Sequence, residues 1–377
     1  MKNFLCILLI ILLTPSVEAS RDDYDYENCG LPTAEYTKRQ RERASENEQK
    51  QSRTTEEVRE HENTDDDYEP DYKENNSQED EKDENDPMRQ KVMGGVRAEK
   101  GEFPWAVLIE LQFISSVCGG TLISRRHVLT AAHCFWKDSE AGLCSMNDVY
   151  PFNKVKEKLY VLVGGICISR NKNENCTAKD IGKRIKIRRA FYKRFFELGC
   201  SGTRDFAILE LEEKVPDGIN HICLPHLHNV DELTDKSIKL FAFGWGADPS
   251  RKAYEAAPVP YLQKLDLGVK MTEDECRENN LQKRPDTFCT WEHAEKDVCH
   301  GDSGGGVSAS LNGRSFLMGI VSHGTDCSDL VVGAPPKAQM MTDIRYYTAD
   351  LDSALGMRVS DRKSRWEQLS TNQSYHT

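Results

Sequence analysis

Short runs of apolar or alternating residues, bounded by turn-forming residues, recur along the chain from about position 105 onward. Runs of roughly four to eight residues bounded in this way are typical of β-strands. Helical spacing of apolar residues is weak except over 344–355, where a helix is predicted. The pattern predicts an all-β protein with a C-terminal helix. The clearest predicted strands are 105–112, 120–123, 159–163, 208–211, 240–243 and 317–321.

Residues 1–19 have the pattern of a secretory signal peptide. Lys2 supplies a basic start, and 4–13 forms an apolar core that is too short to span a bilayer. The segment 17–19 is a suitable cleavage context, which would leave Ser20 first. No later run in the sequence is apolar enough for a transmembrane helix. We therefore expect a secreted, extracellular protein without a membrane anchor.

Residues 20–91 differ in composition from the rest of the chain. They contain 24 acidic and 12 basic residues, and so they carry the whole formal net charge of −12. Such a segment buries too little apolar surface to offset chain entropy, and we expect a disordered acidic propeptide. Because the net charge repels phosphate and no basic stripe is evident, nucleic-acid binding is disfavoured. A folded domain over 92–357 and a loose polar tail over 358–377 are expected to follow.

The glycine-rich string Gly301-Asp302-Ser303-Gly304-Gly305 indicates a nucleophilic serine on a tight turn. Glycine permits strained backbone dihedrals and leaves room for a carbonyl substrate beside the backbone N–H groups. The string matches both the G-x-S-x-G turn of α/β-hydrolases and the G-D-S-G-G of chymotrypsin-like proteases.

The order of three residues along the chain separates these two enzyme classes. In α/β-hydrolases the acid and the histidine follow the serine. Here His133, in a Thr-Ala-Ala-His-Cys string, and Asp205, before a short apolar run, both precede Ser303. Histidine, aspartate and serine in that order are typical of the chymotrypsin group. An α/β-hydrolase esterase is therefore rejected.

With these residues in place, the region 92–357 resembles a trypsin-like serine protease of the chymotrypsin family. Further matching strings lie at 92–95, 103–105, 118–123 and 244–246. The resemblance implies two antiparallel Greek-key β-barrels and an active site in the cleft between them.

The resemblance also implies a role for each residue of the site. His133 would be the general base, Asp205 its orienting partner and Ser303 the nucleophile. The backbone N–H groups of Gly301 and Ser303 would form the oxyanion hole. Ser322 matches a family serine that lies behind the aspartate, and its alternative role is that of an ordinary strand hydroxyl.

The junction at 89–95 resembles the activation sequence of the family. Cleavage after Lys91 would free the amino group of Val92, which would insert into the domain and pair with Asp302. Removing one member of a buried charge pair leaves the other uncompensated, at a cost of about 3–5 kcal/mol. The resemblance therefore predicts an inactive zymogen, and the alternative is a linker that merely begins a strand.

The cysteines fit an oxidising compartment. Of thirteen, Cys6 would leave with the signal peptide, and twelve remain. Zinc is the rival explanation, but no C-x₂-C spacing occurs, and we expect neither a metal nor a cofactor. The resemblance implies the pairs Cys118–Cys134, Cys276–Cys289, Cys299–Cys327 and the propeptide tether Cys29–Cys223. The four remaining cysteines are extra to the family pattern and are assigned as Cys167–Cys176 and Cys144–Cys200.

The residues of the primary specificity pocket give a mixed pattern. Asp297, six residues before the nucleophile, matches the pocket base that selects arginine or lysine, and Gly324 would keep the pocket wall open. Gln339 stands where trypsins carry glycine, and a glutamine there would be able to fill the slot. Met341 and His323 also replace aromatic residues of the family. Cleavage after arginine or lysine is expected, with activation at Lys91 by the enzyme itself or by another protease.

Other features concern modification and partners. Asn75, Asn175 and Asn372 lie in N-x-S/T sequons and are expected glycosylation sites. The expected partners are protein or peptide substrates, the activating protease and protease inhibitors. The alternative function is that of a protease-like binding protein whose cleft no longer processes peptides.

Overall fold

The computed structural model describes residues 23–59, 93–112, 116–137, 146–200, 203–249, 259–280 and 283–363. Antiparallel strands make up most of this part of the chain. The first strands are β1 (Val96–Arg97), β2 (Ala106–Leu111), β3 (Ser116–Leu122), β4 (His127–Thr130), β5 (Leu159–Val163), β6 (Lys183–Phe191) and β7 (Ala207–Leu211). The later strands are β8 (Lys239–Gly244), β9 (Gln263–Val269), β10 (Thr287–Trp291), β11 (Gly306–Leu311), β12 (Arg314–His323) and β13 (Ala338–Asp343).

The strands form two antiparallel sheets that lie one after the other along the chain. The first is a closed barrel in the order β2-β3-β4-β7-β6-β5, in which β5 returns beside β2. The second has seven strands in the order β1-β9-β8-β11-β12-β13-β10. Each of the six strands predicted from the sequence overlaps one of these strands. The expected all-β fold is therefore confirmed.

The alternation of residue types explains how these strands are buried. In β6 the side chains of Ile185 and Ile187 are buried, while Lys183, Arg184 and Lys186 face solvent. Successive side chains point to opposite faces of a strand, so this alternation seals one face of the barrel. The central strand β7 is buried on both faces and is apolar except for Glu210.

Helices are few and short within the described residues from 93 onward. The predicted C-terminal helix is confirmed as a 3₁₀ turn at Ile344–Tyr347 followed by the helix α6 (Thr348–Leu355), which is capped by Gly356 in a left-handed conformation with φ +67°. The helices are α1 (Thr33–Arg59), α2 (Phe152–Lys158), α3 (Lys193–Glu197), α4 (Glu273–Asn279), α5 (Cys327–Val331) and α6 (Thr348–Leu355).

The expectation that all of 20–91 is disordered is wrong for residues 23–59. Tyr24, Cys29 and Leu31 are almost fully buried against the two-sheet domain, and the long helix α1 follows them. Residues 33–59 contain neither proline nor glycine and are rich in glutamate, arginine and glutamine, which favour helix. Residues 60–92 lie outside the described part of the chain.

Polar contacts fix this N-terminal segment to surfaces formed much later in the chain. The Asn220 side-chain amide donates to the carbonyls of Asn28 at 2.6 Å and Leu31 at 3.0 Å. The backbone N–H of Gly30 donates to the carbonyl of His221 at 2.8 Å. Since the predicted Cys29–Cys223 disulfide also joins the two regions, the segment is a bound part of the domain.

The beginning of the expected loose tail is also ordered. Arg362 pairs with the buried carboxylate of Asp352 at 2.5 Å, and the backbone N–H of Lys363 donates to the carbonyl of His226 at 3.0 Å. Residues 364–377 lie outside the described part. Among the described residues, no helix has the length and apolar character needed to cross a membrane.

Candidate active site

The two sheets meet at the glycine-rich turn that carries Ser303. The backbone N–H of Gly119, in β3 of the barrel, donates to the carbonyl of Ser303 at 2.8 Å. Gly304 has φ +81°, and a Cβ there would overlap the Thr130 hydroxyl and the carbonyl of Gly119. Only glycine fits this position, because it combines a left-handed backbone with contact between the two sheets.

His133 and Asp205 form a directly bonded pair beside this junction. The imidazole Nδ1 lies 2.7 Å from Asp205 Oδ2, and the backbone N–H of His133 donates to Asp205 Oδ1 at 2.9 Å. Burial opposes ionisation of Asp205, but the adjacent His133 outweighs it and holds the pKa of the carboxyl at about 2. Burial likewise lowers the pKa of His133, but the Asp205 charge and hydrogen bond outweigh it and raise that pKa. The pair therefore leaves Nε2 of a basic imidazole for proton transfer.

Two residues of the second sheet donate hydrogen bonds to Asp205. The Ser322 hydroxyl donates to Asp205 Oδ2 at 2.5 Å, as the resemblance implied. The Thr342 hydroxyl donates to the backbone carbonyl of Asp205 at 3.0 Å. The carboxylate thus accepts hydrogen bonds from Ser322 of the second sheet and from the backbone N–H of His133, which fixes its orientation toward the imidazole.

A further support for Asp205 was missed from the sequence. Arg204, the preceding residue, has an unusual positive φ of 72°. Its backbone N–H donates to the buried carboxylate of Asp286 at 2.8 Å and to the Tyr347 hydroxyl at 2.9 Å, while its guanidinium pairs with Asp350. These contacts stabilise the strained conformation that delivers Asp205 to the cleft. No local pattern announces them, since the partners lie more than 80 positions away.

Ser303 and His133 line the same cleft, which has a volume of about 860 Å³. Asp205, Ser322, Gly324 and Gln339 also line it, so most of the site residues predicted from the sequence are brought together. Gly301 precedes the serine with φ +97°. Among the described residues, no hydrogen bond uses the backbone N–H of Gly301 or of Ser303. Both donors are therefore available to a developing oxyanion.

Asp302 is buried between the nucleophile and the loop at 244–246. Its carboxylate oxygens accept from the backbone N–H groups of Gly246 at 2.8 Å and Cys299 at 2.9 Å. Burial raises the pKa of Asp302 to about 6, and it outweighs the lowering effect of these two backbone hydrogen bonds. The site favours an additional positive charge near this carboxylate.

The primary pocket differs from the open slot that Asp297 and Gly324 suggest. A Cβ on Gly324 would overlap the side-chain carboxamide of Gln339, so the two residues are in direct contact across the slot. Asp297 is 2% exposed and is absent from the described residues that line the cleft. Burial, together with the neighbouring charges of Glu292 and Asp302, raises the pKa of Asp297 to about 8.

Glu292 is a second residue that sequence reasoning missed. Its buried carboxylate accepts from the backbone N–H groups of Thr325 and Lys337, both at 2.7 Å. Thr325 lines the cleft, so Glu292 fixes the rim of the primary pocket. A lone glutamate after a strand gives no signal of this role.

The predicted disulfides are present where both cysteines are described. Cys200 is disulfide-bonded, and its predicted partner Cys144 lies outside the described part. Among the described residues, one group is close enough together to hold a metal ion: Cys29, Cys223 and His228. Its two cysteines are joined to each other in a disulfide. The bonded pairs are Cys29–Cys223, Cys118–Cys134, Cys167–Cys176, Cys276–Cys289 and Cys299–Cys327.

The predicted activation residues and glycosylation sites are absent from the described residues that line the cleft. The activation residues Lys91 and Val92, and the sequon residues Asn75 and Asn372, lie outside the described residues. Asn175 is described: it is exposed and ends a short 3₁₀ turn in a left-handed conformation with φ 52°. Its side chain is accessible to modification.

Comparison with known proteins agrees with this geometry. The trypsin family model matches residues 92–335, a region that contains His133, Asp205 and Ser303. The trypsin-like protease try-5 of Caenorhabditis elegans is 38% identical over 264 residues, which cover 64% of this chain and 80% of that protein. The chain belongs to the trypsin family of serine proteases.

Proposed function

We propose that the protein is a serine endopeptidase that cleaves peptide bonds through His133, Asp205 and Ser303. The observation that carries this proposal is the bonded His133–Asp205 pair, which lines one cleft with the serine of the glycine-rich turn. Ser303 Oγ attacks the carbonyl carbon of the scissile bond while His133 Nε2 takes its proton. Asp205 keeps Nδ1 hydrogen-bonded and stabilises the imidazolium that forms.

The remaining steps follow from the same groups. The backbone N–H groups of Gly301 and Ser303 hold the negative oxygen of the tetrahedral intermediate, and loss of one such donor costs about a hundredfold or more in rate. The imidazolium returns its proton to the leaving amine, which departs and leaves an acyl-enzyme on Ser303. Water, deprotonated by His133, then attacks the ester and releases the new carboxyl terminus.

We also propose that the chain is made as a zymogen activated by cleavage after Lys91. Met93, next to the expected new amino terminus, is 1% exposed and contacts the disulfide beside the pocket, Cys299–Cys327. Its carbonyl accepts from the backbone N–H of Asp297 at 3.0 Å. The chain at this point is thus already seated inside the domain. The amino group of Val92 is the cation proposed to pair with Asp302.

The proposed setting of the enzyme is extracellular. A signal peptide over 1–19, five described disulfides and an exposed sequon at Asn175 support secretion of a glycoprotein. Its proposed partners are protein or peptide substrates, an activating protease and protease inhibitors.

One observation favours the alternative of a protease-like binding protein. The carboxamide of Gln339 lies in the slot that substrate side chains enter in the family. The groups that perform the chemistry, His133 and Ser303, still line the open part of the cleft. The enzyme is therefore the better supported function. Cleavage after arginine or lysine, expected from Asp297, is less well supported because that carboxyl is absent from the described cleft lining.

Peptide hydrolysis by purified protein cut at Lys91 tests the proposal. A mixed peptide library, analysed by mass spectrometry, should show new termini with the wild type and none with Ser303→Ala. Absence of cleavage by both proteins, when both are folded and fully cut, would favour the binding protein.

A further inference from the structure

We propose that Gln339 closes the primary pocket above Asp297, so that the enzyme selects a short, uncharged, hydrogen-bonding side chain before the scissile bond. The proposal rests on the proposed function, because it names the substrate class of the same cleft. It departs from the arginine or lysine preference that Asp297 alone would indicate.

The position of the Gln339 side chain is the first argument. Gln339 lies in β13, opposite Thr290 of β10, and Gly324 follows directly after β12. A Cβ on Gly324 would overlap the Oε1 and Cδ atoms of Gln339. The room left by the missing side chain of Gly324 is therefore occupied by a residue of the enzyme itself. An extended arginine or lysine side chain would have to displace it.

The second argument is that Asp297 is separated from the cleft. Its Oδ1 accepts from the backbone N–H of Val298 at 2.8 Å, and its Oδ2 has no hydrogen-bond partner among the described residues. Gln339 and Gly324 line the cleft, whereas Asp297 is absent from the described lining. Burial raises the pKa of Asp297 to about 8, so the carboxyl is mostly uncharged at pH 7. A sealed and uncharged group does not recruit a cation.

The unpartnered oxygen of Gln339 indicates what the shortened pocket accepts. Gln339 is 3% exposed, and its Oε1 has no hydrogen-bond partner within the described part of the chain. A buried polar atom without a partner is costly, and a substrate donor that reaches it removes the cost. Asparagine, serine and threonine are short enough and carry such a donor. An alanine side chain fits as well but leaves the oxygen unpaired.

The proposal has a consequence for activation. A protease that rejects lysine does not cut after Lys91. The activating partner is then a separate protease that cleaves after a basic residue, and active enzyme added to the zymogen does not accelerate its cleavage.

The test compares peptides that differ only in the residue before the scissile bond: arginine, lysine, asparagine, serine and alanine. The enzymes are the Lys91-cut wild type, Gln339→Gly, and Gln339→Gly combined with Asp297→Asn. The wild type should prefer asparagine or serine over arginine by at least about tenfold in kcat/KM. Gln339→Gly should reverse the preference by exposing Asp297, and the second substitution should remove the gained arginine activity.

Each outcome supports or overturns the proposed closed pocket. Wild-type enzyme that cleaves best after arginine or lysine overturns this inference and leaves the proposed function standing. No cleavage of any peptide, with no labelling of Ser303 by an organophosphonate, overturns both. Should Gln339→Gly not fold, benzamidine, a small cationic probe, is titrated into the wild type by calorimetry. If benzamidine shows no saturable binding, the closed pocket is supported. If benzamidine binds and competes with peptide cleavage, the closed pocket is contradicted.

Discussion

Gly246 and Asp302 are in contact so close that no side chain fits between them. Asp302 Oδ1 accepts from the backbone N–H of Gly246 at 2.8 Å, and a Cβ on Gly246 would overlap the carboxylate. Asp302 lies between the two residues whose N–H groups form the proposed oxyanion hole. The position of this one carboxylate therefore links the loop at 244–246 to the catalytic turn.

Gly246→Ala should displace Asp302 and inactivate the enzyme while leaving the fold intact. Overpacking at a buried site costs about 1–3 kcal/mol of stability, which a disulfide-bonded domain tolerates. Peptidase activity should fall by about a hundredfold or more, because the oxyanion donors move with the carboxylate. Circular dichroism and kcat/KM, measured on the same cut sample, check this. A variant with wild-type kcat/KM would show that the contact is irrelevant to the site.

Asp302→Asn should change the pH dependence of stability in the uncut protein. The pKa of Asp302 is raised from its usual value of 3.8 to about 6 in the folded chain. Folding therefore favours the protonated carboxyl, and its stability contribution declines as the pH rises from about 4 to above 6. The neutral amide avoids that decline. Urea unfolding of both zymogens should show a gap in favour of Asp302→Asn that is larger at pH 8 than at pH 4.

In the cut enzyme the same substitution should have the opposite effect. There the proposed Val92 amino group compensates the carboxylate, and removing one partner of a buried pair is strongly destabilising. Cut Asp302→Asn should therefore be less stable than cut wild type at pH 8 and should lack peptidase activity. Equal stability of the two cut proteins would argue against insertion of Val92.

The acid limb of the pH–activity profile should report His133. The neutral imidazole is the base, so kcat/KM falls as the pH drops through the pKa of His133. Because Asp205 raises that pKa, the midpoint should lie above the ordinary imidazole value of 6.5. Asp205→Asn should lower kcat/KM by about 10⁴-fold and shift the midpoint to lower pH. An unchanged midpoint in Asp205→Asn would mean that another group limits the profile.

Cutting at Lys91 should produce two chains that stay together. Cys29 is bonded to Cys223, so the N-terminal chain remains attached to the catalytic domain after cleavage. Gel electrophoresis should show one band without reductant and two with it. A Cys29→Ser and Cys223→Ser double variant serves as the control and should give two bands under both conditions. Release of the N-terminal chain from the wild type without reductant contradicts the prediction.

Local sequence patterns located six of the thirteen described strands and the residues that meet in the cleft. The apolar run at 159–163 and the glycine-rich string around Ser303 each depend on neighbours in the chain, and the strand and the cleft serine are found where these patterns placed them. Gly304 illustrates why such strings are informative: its conformation and its contacts admit no other residue.

Contacts between distant residues were not predictable in this way. Tyr24 and Cys29 are buried only because Asn220, Cys223 and neighbouring residues, about 200 positions later, form a surface for them. Composition alone therefore assigned the whole of 20–91 to disorder. The support that Asp286 gives to the backbone of Arg204 has the same long-range character.

The primary specificity pocket was predictable from the sequence only in part. Asp297 and Gln339 were both identified from the sequence, but a linear pattern does not tell which of them faces the substrate. In the structure Gln339 contacts Gly324 across the slot and lines the cleft, and the proposed specificity rests on this contact.

Labelling of Ser303 before and after activation tests the central claim most directly. Wild type and Ser303→Ala are incubated with an organophosphonate, uncut and after complete cleavage at Lys91, and the labelled peptide is identified by mass spectrometry. We predict labelling confined to Ser303 of the cut wild type, with little in the uncut chain and none in the variant. Absence of label from Ser303 in fully cut, folded protein, or equal labelling of uncut and cut chains, would contradict an activated serine peptidase.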